Sequence, residues 1–294
     1  MTTTNRDETV AVLGANGVYA RHLLPRLAAA GYRVRAIVRR AEAAGPAKAC
    51  GAEVRVADIF DEQGLRAALA GCNVGVNLAT SLPGPSGRGD FDTNDAVRRK
   101  GTPIWAQACK EAGVSRILQQ SIAMVNAGGD AWSDEDTVAS GVNDETAAKA
   151  IDAALAMEES ARASGLKCLI LRGGLFYGPG TGLDDDWFVR AGTGKLRLPG
   201  DGQTFVSLVH IADMADATVA AIGRWPRRTT LIVSDDRPAR WHELFTYIAQ
   251  VVGAPEPQPG GRLGFPSFRV RNARAREDLD WAPRYSDFRM GLAR

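Results

Sequence analysis

The chain has 294 residues, 45% hydrophobic and 24% charged, which is the composition of a globular protein with a large core. Its 36 basic and 34 acidic residues leave a formal charge of +2, and no long run of like charge occurs, so we expect neither nucleic acid nor an anionic membrane surface as partner. The four cysteines lack CxxC spacing, no signal-like segment opens the chain, and no apolar run reaches about 18 residues, so we expect a soluble cytoplasmic protein.

Short apolar runs alternate with helical patterns through the first part of the chain. The predicted strands are, in order, 9–13, 34–38, 53–56, 73–79, 115–121 and 167–172, and the predicted helices between them lie near 14–30, 41–50, 61–70, 92–112 and 144–163. This alternation predicts an α/β fold: a Rossmann-type, doubly wound parallel sheet of at least six strands.

The pattern changes after Arg172. Short strands are predicted near 204–209 and 230–234, helices near 211–222 and 240–252, and a Pro- and Gly-rich loop at 253–267. We therefore expect a Rossmann domain at 1–172 and a smaller mixed C-terminal lobe at 173–294 that binds substrate, with part of 204–234 returning to the core sheet.

A Gly-rich turn joins the first strand to the first helix. Gly14, Gly17 and Ala20 follow one another at intervals of three, as a dinucleotide-binding turn requires. The first Gly permits the tight turn, the second lets backbone approach a pyrophosphate, and Ala20 allows the helix to pack closely. We assign Gly14, Asn16, Gly17 and Val18 to the cofactor.

The second strand ends in Arg39 and Arg40, where NAD-binding proteins carry an acidic residue for the ribose 2′-hydroxyl. A guanidinium instead suits the 2′-phosphate of NADP. We therefore expect NADPH, with Arg39 as the main phosphate ligand. The next two predicted strands are followed by further candidate cofactor contacts: Asp58, Ile59, Leu78, Ala79 and Thr80. Asp58 has the alternative role of capping the next helix.

Beyond the Gly turn, the chain resembles the extended short-chain dehydrogenase/reductase family, an NAD-dependent epimerase/dehydratase-like superfamily. The resemblance extends over GANGVYA, VADIFD, NLAT, EAGVSRILQQS, SGLKCLILRGGLFYGPG, VSLVHIADMADA and REDLDWAP. It implies a doubly wound sheet that binds NADP and a C-terminal lobe that forms the substrate pocket.

The family's catalytic Tyr and Lys are missing. Alignment on ESARASGLKCLILR places the YxxxKxxxE pattern on Ala150, Ala154 and Glu158, while a register that keeps Lys149 puts Glu145 in place of Tyr. The family's Ser corresponds to Ser121 or to Ile122 beside it, and Arg98 stands where an Asn is often found. Ser121 is retained as a cofactor contact and, with Tyr177, as a weak catalytic candidate; Lys149 is a minor candidate for the ribose.

In lacking the Tyr and Lys, the chain is similar to a small group of atypical family members, the angucyclinone ketoreductases of antibiotic biosynthesis. We expect an NADPH-dependent ketoreductase that transfers hydride to a ketone or quinone of a polycyclic, polyketide-like substrate, which supplies its own proton. A non-catalytic NADP-binding regulatory or partner-binding protein is the alternative, and an isomerase or dehydratase is a third hypothesis.

The expected substrate pocket contains the 81–90 loop and aromatic or polar residues that follow predicted strands or open the second lobe, since such side chains suit a flat ligand. These are Ser81, Met124, Phe176, Tyr177, Trp187 and Phe188. His210 is interpreted as structural, and three isolated histidines predict no metal site. We expect a monomer or a homodimer.

Overall fold

A parallel sheet of seven strands lies at the centre of the computed structural model, which describes residues 7–83 and 89–293. The strands of the chain are β1 Thr9–Leu13, β2 Arg33–Val38, β3 Glu53–Val56, β4 Val74–Asn77, β5 Arg116–Ile122, β6 Gly129–Ser133, β7 Lys167–Gly173, β8 Leu175–Tyr177, β9 Arg197–Pro199, β10 Phe205–Val206, β11 Leu208–His210, β12 Thr230–Val233, β13 Ala239–Arg240, β14 Gln258–Gly261 and β15 Phe268–Val270. The central sheet has the order β12-β7-β5-β4-β1-β2-β3, so the direction of winding reverses between β1 and β4. Ligands of such sheets bind at that reversal, beyond the carboxyl ends of the strands.

Helices cover both faces of the sheet. The α-helices of the described residues, including those of the C-terminal lobe, are α1 Val18–Ala29, α2 Gly45–Ala49, α3 Glu62–Leu69, α4 Phe91–Ala96, α5 Thr102–Glu111, α6 Glu145–Ala163, α7 Leu183–Gly192, α8 Ile211–Arg224, α9 Trp241–Val251, α10 Ala273–Leu279 and α11 Phe288–Leu292. On one face, α1 packs with α8; on the other, α3, α5 and α6 pack together. Strands β1 and β4 are buried along their whole length and are apolar except for Thr9 and Asn77, because both of their faces are covered.

The predicted doubly wound α/β fold is confirmed. The predicted strands 9–13 and 53–56 coincide with β1 and β3. Strand β12, in the segment expected to return to the core, pairs with β7 at the edge of the central sheet. The division at residue 172 stays a prediction.

The C-terminal lobe packs around α7 and α9 in a second core, which also includes residues of α6 and of the segment after β5. Two-stranded pairs frame this lobe. One pair corrects the sequence prediction. Gln258–Gly261, predicted as loop, forms β14 and pairs with β9. The pairing depends on the backbone of Arg197–Pro199, a partner distant in sequence, so local composition could not reveal it.

The predicted helix 92–112 is continuous but not uniform. A π-helical turn at Val97–Gly101 joins α4 to α5. Such a turn adds a residue to the helical repeat and changes which side chains face inward, and π turns often lie at functional sites.

Candidate active site

The turn after β1 can hold only a residue without a side chain at Gly14. Its φ is +78°, and an added Cβ would lie 2.9 Å from both Ala79 N and Leu78 C. Gly17 N donates to Gly14 O at 3.0 Å, and no side chain caps the start of α1. The first N–H groups of α1 are therefore available to an anion, and the turn fits a dinucleotide pyrophosphate.

The end of β4 lies against this turn. Asn77 Oδ1 accepts a hydrogen bond from Ala79 N at 3.0 Å, and its amide donates to Gln119 on β5 at 2.9 Å. Leu78 is buried and Thr80 is exposed. These contacts bring the predicted residues 78–80 to the same sheet edge as the Gly turn.

Both arginines after β2 are exposed. Nε of Arg40 lies 3.6 Å from Oε1 of Glu42. Arg39, in contrast, forms no hydrogen bond or ion pair within residues 7–83 and 89–293. A guanidinium without an internal partner is available to a phosphate, so Arg39 remains the predicted ligand of the 2′-phosphate.

Asp58 does not cap the next helix. Asp61 does so, accepting from Gly64 N at 3.0 Å, while Asp58 accepts from Phe60 N at 3.0 Å in a turn. Ile59 is buried against the π turn: a Cβ on Gly101 would lie 2.9 Å from its side chain. The adenine contact predicted for Asp58 and Ile59 stays a prediction.

Helix α6 carries methyl groups where the family has its acid. Ala154 and Glu158 are fully buried and Ala150 is partly buried, and the three follow at intervals of four on the sheet-facing side. Lys149 and Glu145 are exposed and pair with each other at 2.7 Å. This geometry supports the register with Ala150 and Ala154, and it places Lys149 on the solvent face.

Ser121 belongs to a buried polar network. Its hydroxyl donates to Glu158 Oε1 at 2.7 Å, and Arg172 donates to both oxygens of Glu158, at 2.9 and 2.6 Å. Burial raises the pKa of Glu158, but the hydrogen bonds and charge of Arg172 outweigh that effect and the pKa is lowered. Because its hydroxyl is already committed, we assign Ser121 to this network.

The side chain of Tyr177 is enclosed by the protein. It is fully buried, its hydroxyl has no hydrogen-bond partner in the described chain, and burial raises its pKa. His210, 5.2 Å away between ring centroids, accepts from Ala212 N at the start of α8. This environment does not favour Tyr177 as the acid, and its catalytic role stays a prediction; the same contacts agree with a structural His210.

The remaining pocket candidates divide into two groups. Trp187 and Phe188 lie in the core of the C-terminal lobe, where Trp187 meets Trp241 edge to face at 6.0 Å, and we assign them to packing. Ser81 and Met124 lie just after the sheet strands β4 and β5. Phe176 lies in β8 and is half-buried beside Tyr19. Within the predicted 81–90 loop, residues 84–88 lie outside the described residues.

Arg98 is a charged residue of this region to which the sequence assigns no role. Arg98, in the π turn, is only 4% exposed, and its Nη1 donates to Ala150 O at 2.9 Å. The sequence signal was its occurrence where the family often has Asn. Among the described residues, no group of three or more His, Cys, Asp or Glu side chains could hold a metal ion.

A family model described as NAD(P)H-binding matches residues 14–224, from the first residue of the turn to the end of α8. The chain belongs to this NAD(P)H-binding family. The match includes the Gly turn, the end of β4 and α6, so the shared part of this NAD(P)H-binding protein contains every element that borders the proposed cofactor edge. This match does not discriminate between NAD and NADP.

Two relatives of this NAD(P)H-binding protein are reductases. A Streptomyces protein described as 3-diazoavenalumate denitrifying reductase is 32% identical over 97% of this chain and 99% of its own length. A ketoreductase of Stigmatella aurantiaca, described as acting on 4-hydroxy-2-methyl-3-oxo-4-farnesyl-3,4-dihydroquinoline-1-oxide, is 24% identical over 82% of this chain and 72% of its own. Together with the family, they support an NAD(P)H-dependent oxidoreductase.

Solved structures agree on the fold. The UDP-glucose 4-epimerase of Thermotoga maritima, in complex with UDP-glucose, superposes with a TM-score of 0.79 at 19% identity, over 97% of this chain and 96% of the epimerase. At this identity the likeness shows the fold of the extended family alone. No helix of residues 7–83 and 89–293 is both long and apolar enough to cross a membrane.

Proposed function

We propose that the chain is an NADPH-dependent reductase that transfers hydride to an aromatic acceptor and contributes no proton from a side chain. The observation that carries the proposal is α6, where Ala150 and Ala154 occupy the positions of the family's Tyr and Lys. An acid at such a site contributes about two to four orders of magnitude in rate. The substrate must make that contribution unnecessary.

The preference for NADPH rests on Arg39. It is exposed, follows β2 beside the Gly turn, and has no partner within the described residues. The bound nicotinamide supplies the hydride. The chain's own part is to hold the pyrophosphate at α1 and the acceptor near the carboxyl ends of β4 and β5, since positioning alone contributes several kcal/mol to catalysis.

One acceptor that meets this requirement is a ketone or quinone of a polycyclic, polyketide-like ring system. A phenolic hydroxyl beside the carbonyl hydrogen-bonds to the oxygen that gains charge, and a quinone becomes aromatic on reduction. The Stigmatella ketoreductase, at 24% identity, supports a carbonyl substrate. Half-buried Phe176 and the residues after β4 would contact the flat ring.

An aryl diazo group is the second candidate, favoured by the Streptomyces relative that matches along the whole chain. Hydride adds to the terminal nitrogen of an aryldiazonium and gives a neutral aryldiazene. The aryldiazene loses N₂ while its N–H hydrogen passes to the ring carbon, leaving the arene. No step creates an oxyanion that needs an acid, so the two methyl groups on α6 are compatible with it.

The test is a comparison of NADPH oxidation with three acceptor sets: hydroxyquinones, phenol-flanked polycyclic ketones and ring-hydroxylated aryldiazonium salts. We expect turnover in one set, with hydroquinone, alcohol, or arene and N₂ as the product. A Gly14→Ala variant, which should lose cofactor binding, controls for reduction in solution. Tight NADPH binding without turnover in any set would favour the non-catalytic NADP-binding protein.

A further inference from the structure

Arg98 is a buried cation without a counter-ion. It is 4% exposed, donates from Nη1 to the neutral carbonyl of Ala150 at 2.9 Å, and forms no ion pair within the described parts of the chain. Burial lowers the pKa of the guanidinium and the charge of Asp95 partly opposes this. Arginine nevertheless stays protonated in proteins. A buried charge is costly unless an opposite charge accompanies it.

The other donors of the guanidinium have no partner among the described residues. Neither Nε nor Nη2 of Arg98 hydrogen-bonds to any residue of 7–83 and 89–293. Arginine offers a planar fork of donors that matches oxyanions. Within the described residues, the side chain therefore presents two unpartnered donors and a charge that only Asp95 offsets, without an ion pair, at one place.

That place is the proposed reaction site. One helical turn before Arg98, Asn94 accepts from Ser81 N at 3.1 Å, in the segment that follows β4. On its other side, Arg98 is tied to Ala150, where the family's Tyr would stand. Arg98 lies in the π turn at Val97–Gly101 and is one of its buried residues. The guanidinium thus lies between the exit of β4 and the methyl face of α6.

We propose that Arg98 binds a negatively charged oxygen on the aromatic substrate, beside the atom that accepts hydride. The location of the acceptor rests on the proposed function. For a hydroxyquinone or an ortho-hydroxy diazo compound, this oxygen is the ionised ring hydroxyl. For a ketone, hydride adds to carbon, the π pair moves onto oxygen, Arg98 stabilises that oxygen, and the neighbouring phenol donates the proton. Arg98 selects substrates that carry such an oxygen.

The probe pair is 2-hydroxy-1,4-naphthoquinone, an anion at neutral pH, and its neutral 2-methoxy ether, each titrated calorimetrically into the full chain saturated with NADP⁺. No reduction occurs with the oxidised cofactor. We expect the anion to bind the wild type about tenfold more tightly than the ether, as one charge-assisted hydrogen bond provides. Arg98→Met should remove this preference and Arg98→Lys should keep part of it.

Arg99→Met is the matched control, because Arg99 is exposed and pairs with Asp152 on the outer side of the helix. It should leave the preference intact. Equal affinity of the anion for the wild type and Arg98→Met, or no binding of the anion at all, overturns the proposal. Failure of the proposed function would be seen separately. In that case NADPH is not oxidised, although the titration still shows that the chain prefers the anion to the ether and that this preference depends on Arg98.

Discussion

Gly14 illustrates how a single residue defines the cofactor site. Replacement by Ala would place a methyl group 2.9 Å from the backbone of Leu78 and Ala79 at a φ of +78°. We expect Gly14→Ala to lower NADPH affinity by at least about tenfold, measured by nicotinamide fluorescence. Gly113, with a φ of +76° and no atom within 4 Å of an added Cβ, provides the control. If Gly113→Ala weakens NADPH binding equally, backbone strain rather than the close approach is responsible.

Arg39 should determine the choice between NADPH and NADH. Arg39→Asp removes the proposed donor to the 2′-phosphate and adds an acceptor for a ribose hydroxyl, so we expect the ratio of kcat/KM values to move toward NADH by roughly tenfold or more. Arg40→Asp, at an exposed residue that already faces Glu42, serves for comparison. A shift produced only by the Arg40 variant would reassign the phosphate ligand.

At the scale of elements, α6 is fixed to the sheet by charge as well as by apolar packing. Glu158 on α6 is fully buried and paired with Arg172 on β7 at 2.6 Å. Arg172→Met leaves this carboxylate with only the half-exposed Arg162 and Ser121, so we expect about 3 kcal/mol loss in the free energy of unfolding by urea. Lys149→Met, which breaks the exposed pair with Glu145, should leave the free energy of unfolding nearly unchanged, because solvent screens that pair. Similar losses in the two variants would mean that the buried pair adds little.

The elements also show where sequence reasoning succeeds. The bounds of β1 and β3 are predictable because the apolar run of β1, the alternation of Val with charged residues in β3 and the flanking turns are local signals. The π turn at Val97–Gly101 has no such signal, since every residue in it is also compatible with an α-helix. Arg98 lies in that turn, and its burial could not be read from the spacing of the sequence.

The aromatic residues show a different limit. Trp187 and Tyr177 follow sheet strands in the chain, as pocket residues do, yet both are buried in packing contacts. Residue type and position relative to a strand do not distinguish a core aromatic from one that faces a ligand. The Gly turn was predictable because its requirement for glycine is local; the pocket was not, because it is formed by elements distant in sequence.

At the scale of the whole molecule, His210 links stability to pH. Burial lowers its pKa to about 4 from 6.5, so the unfolded chain binds a proton more readily than the folded one. Its contribution is fully present above pH 6.5 and is lost progressively as the pH falls toward 4, at most about 3 kcal/mol. His210→Asn, which keeps an acceptor at the start of α8, should flatten the fall in unfolding free energy across this range.

The matched variant for this measurement is His242→Asn, at a partly buried histidine whose charge does not contribute to the shift of His210. Its stability curve should keep the slope of the wild type. An unchanged slope in His210→Asn would show that carboxylates whose pKa the fold lowers, such as Glu158 beside Arg172, govern the acid response.

The two methyl groups on α6 have a consequence for kinetics. In enzymes with a catalytic tyrosine, the rate follows the ionisation of that side chain. Here Ala150 and Ala154 replace the tyrosine and lysine, and Arg98 is charged at every accessible pH. The side chains nearest the acceptor therefore do not change their charge with pH. Rates recorded over pH should then follow the acidity of each substrate's own hydroxyl, and the midpoint should move when a ring substituent changes that acidity while the protein stays the same.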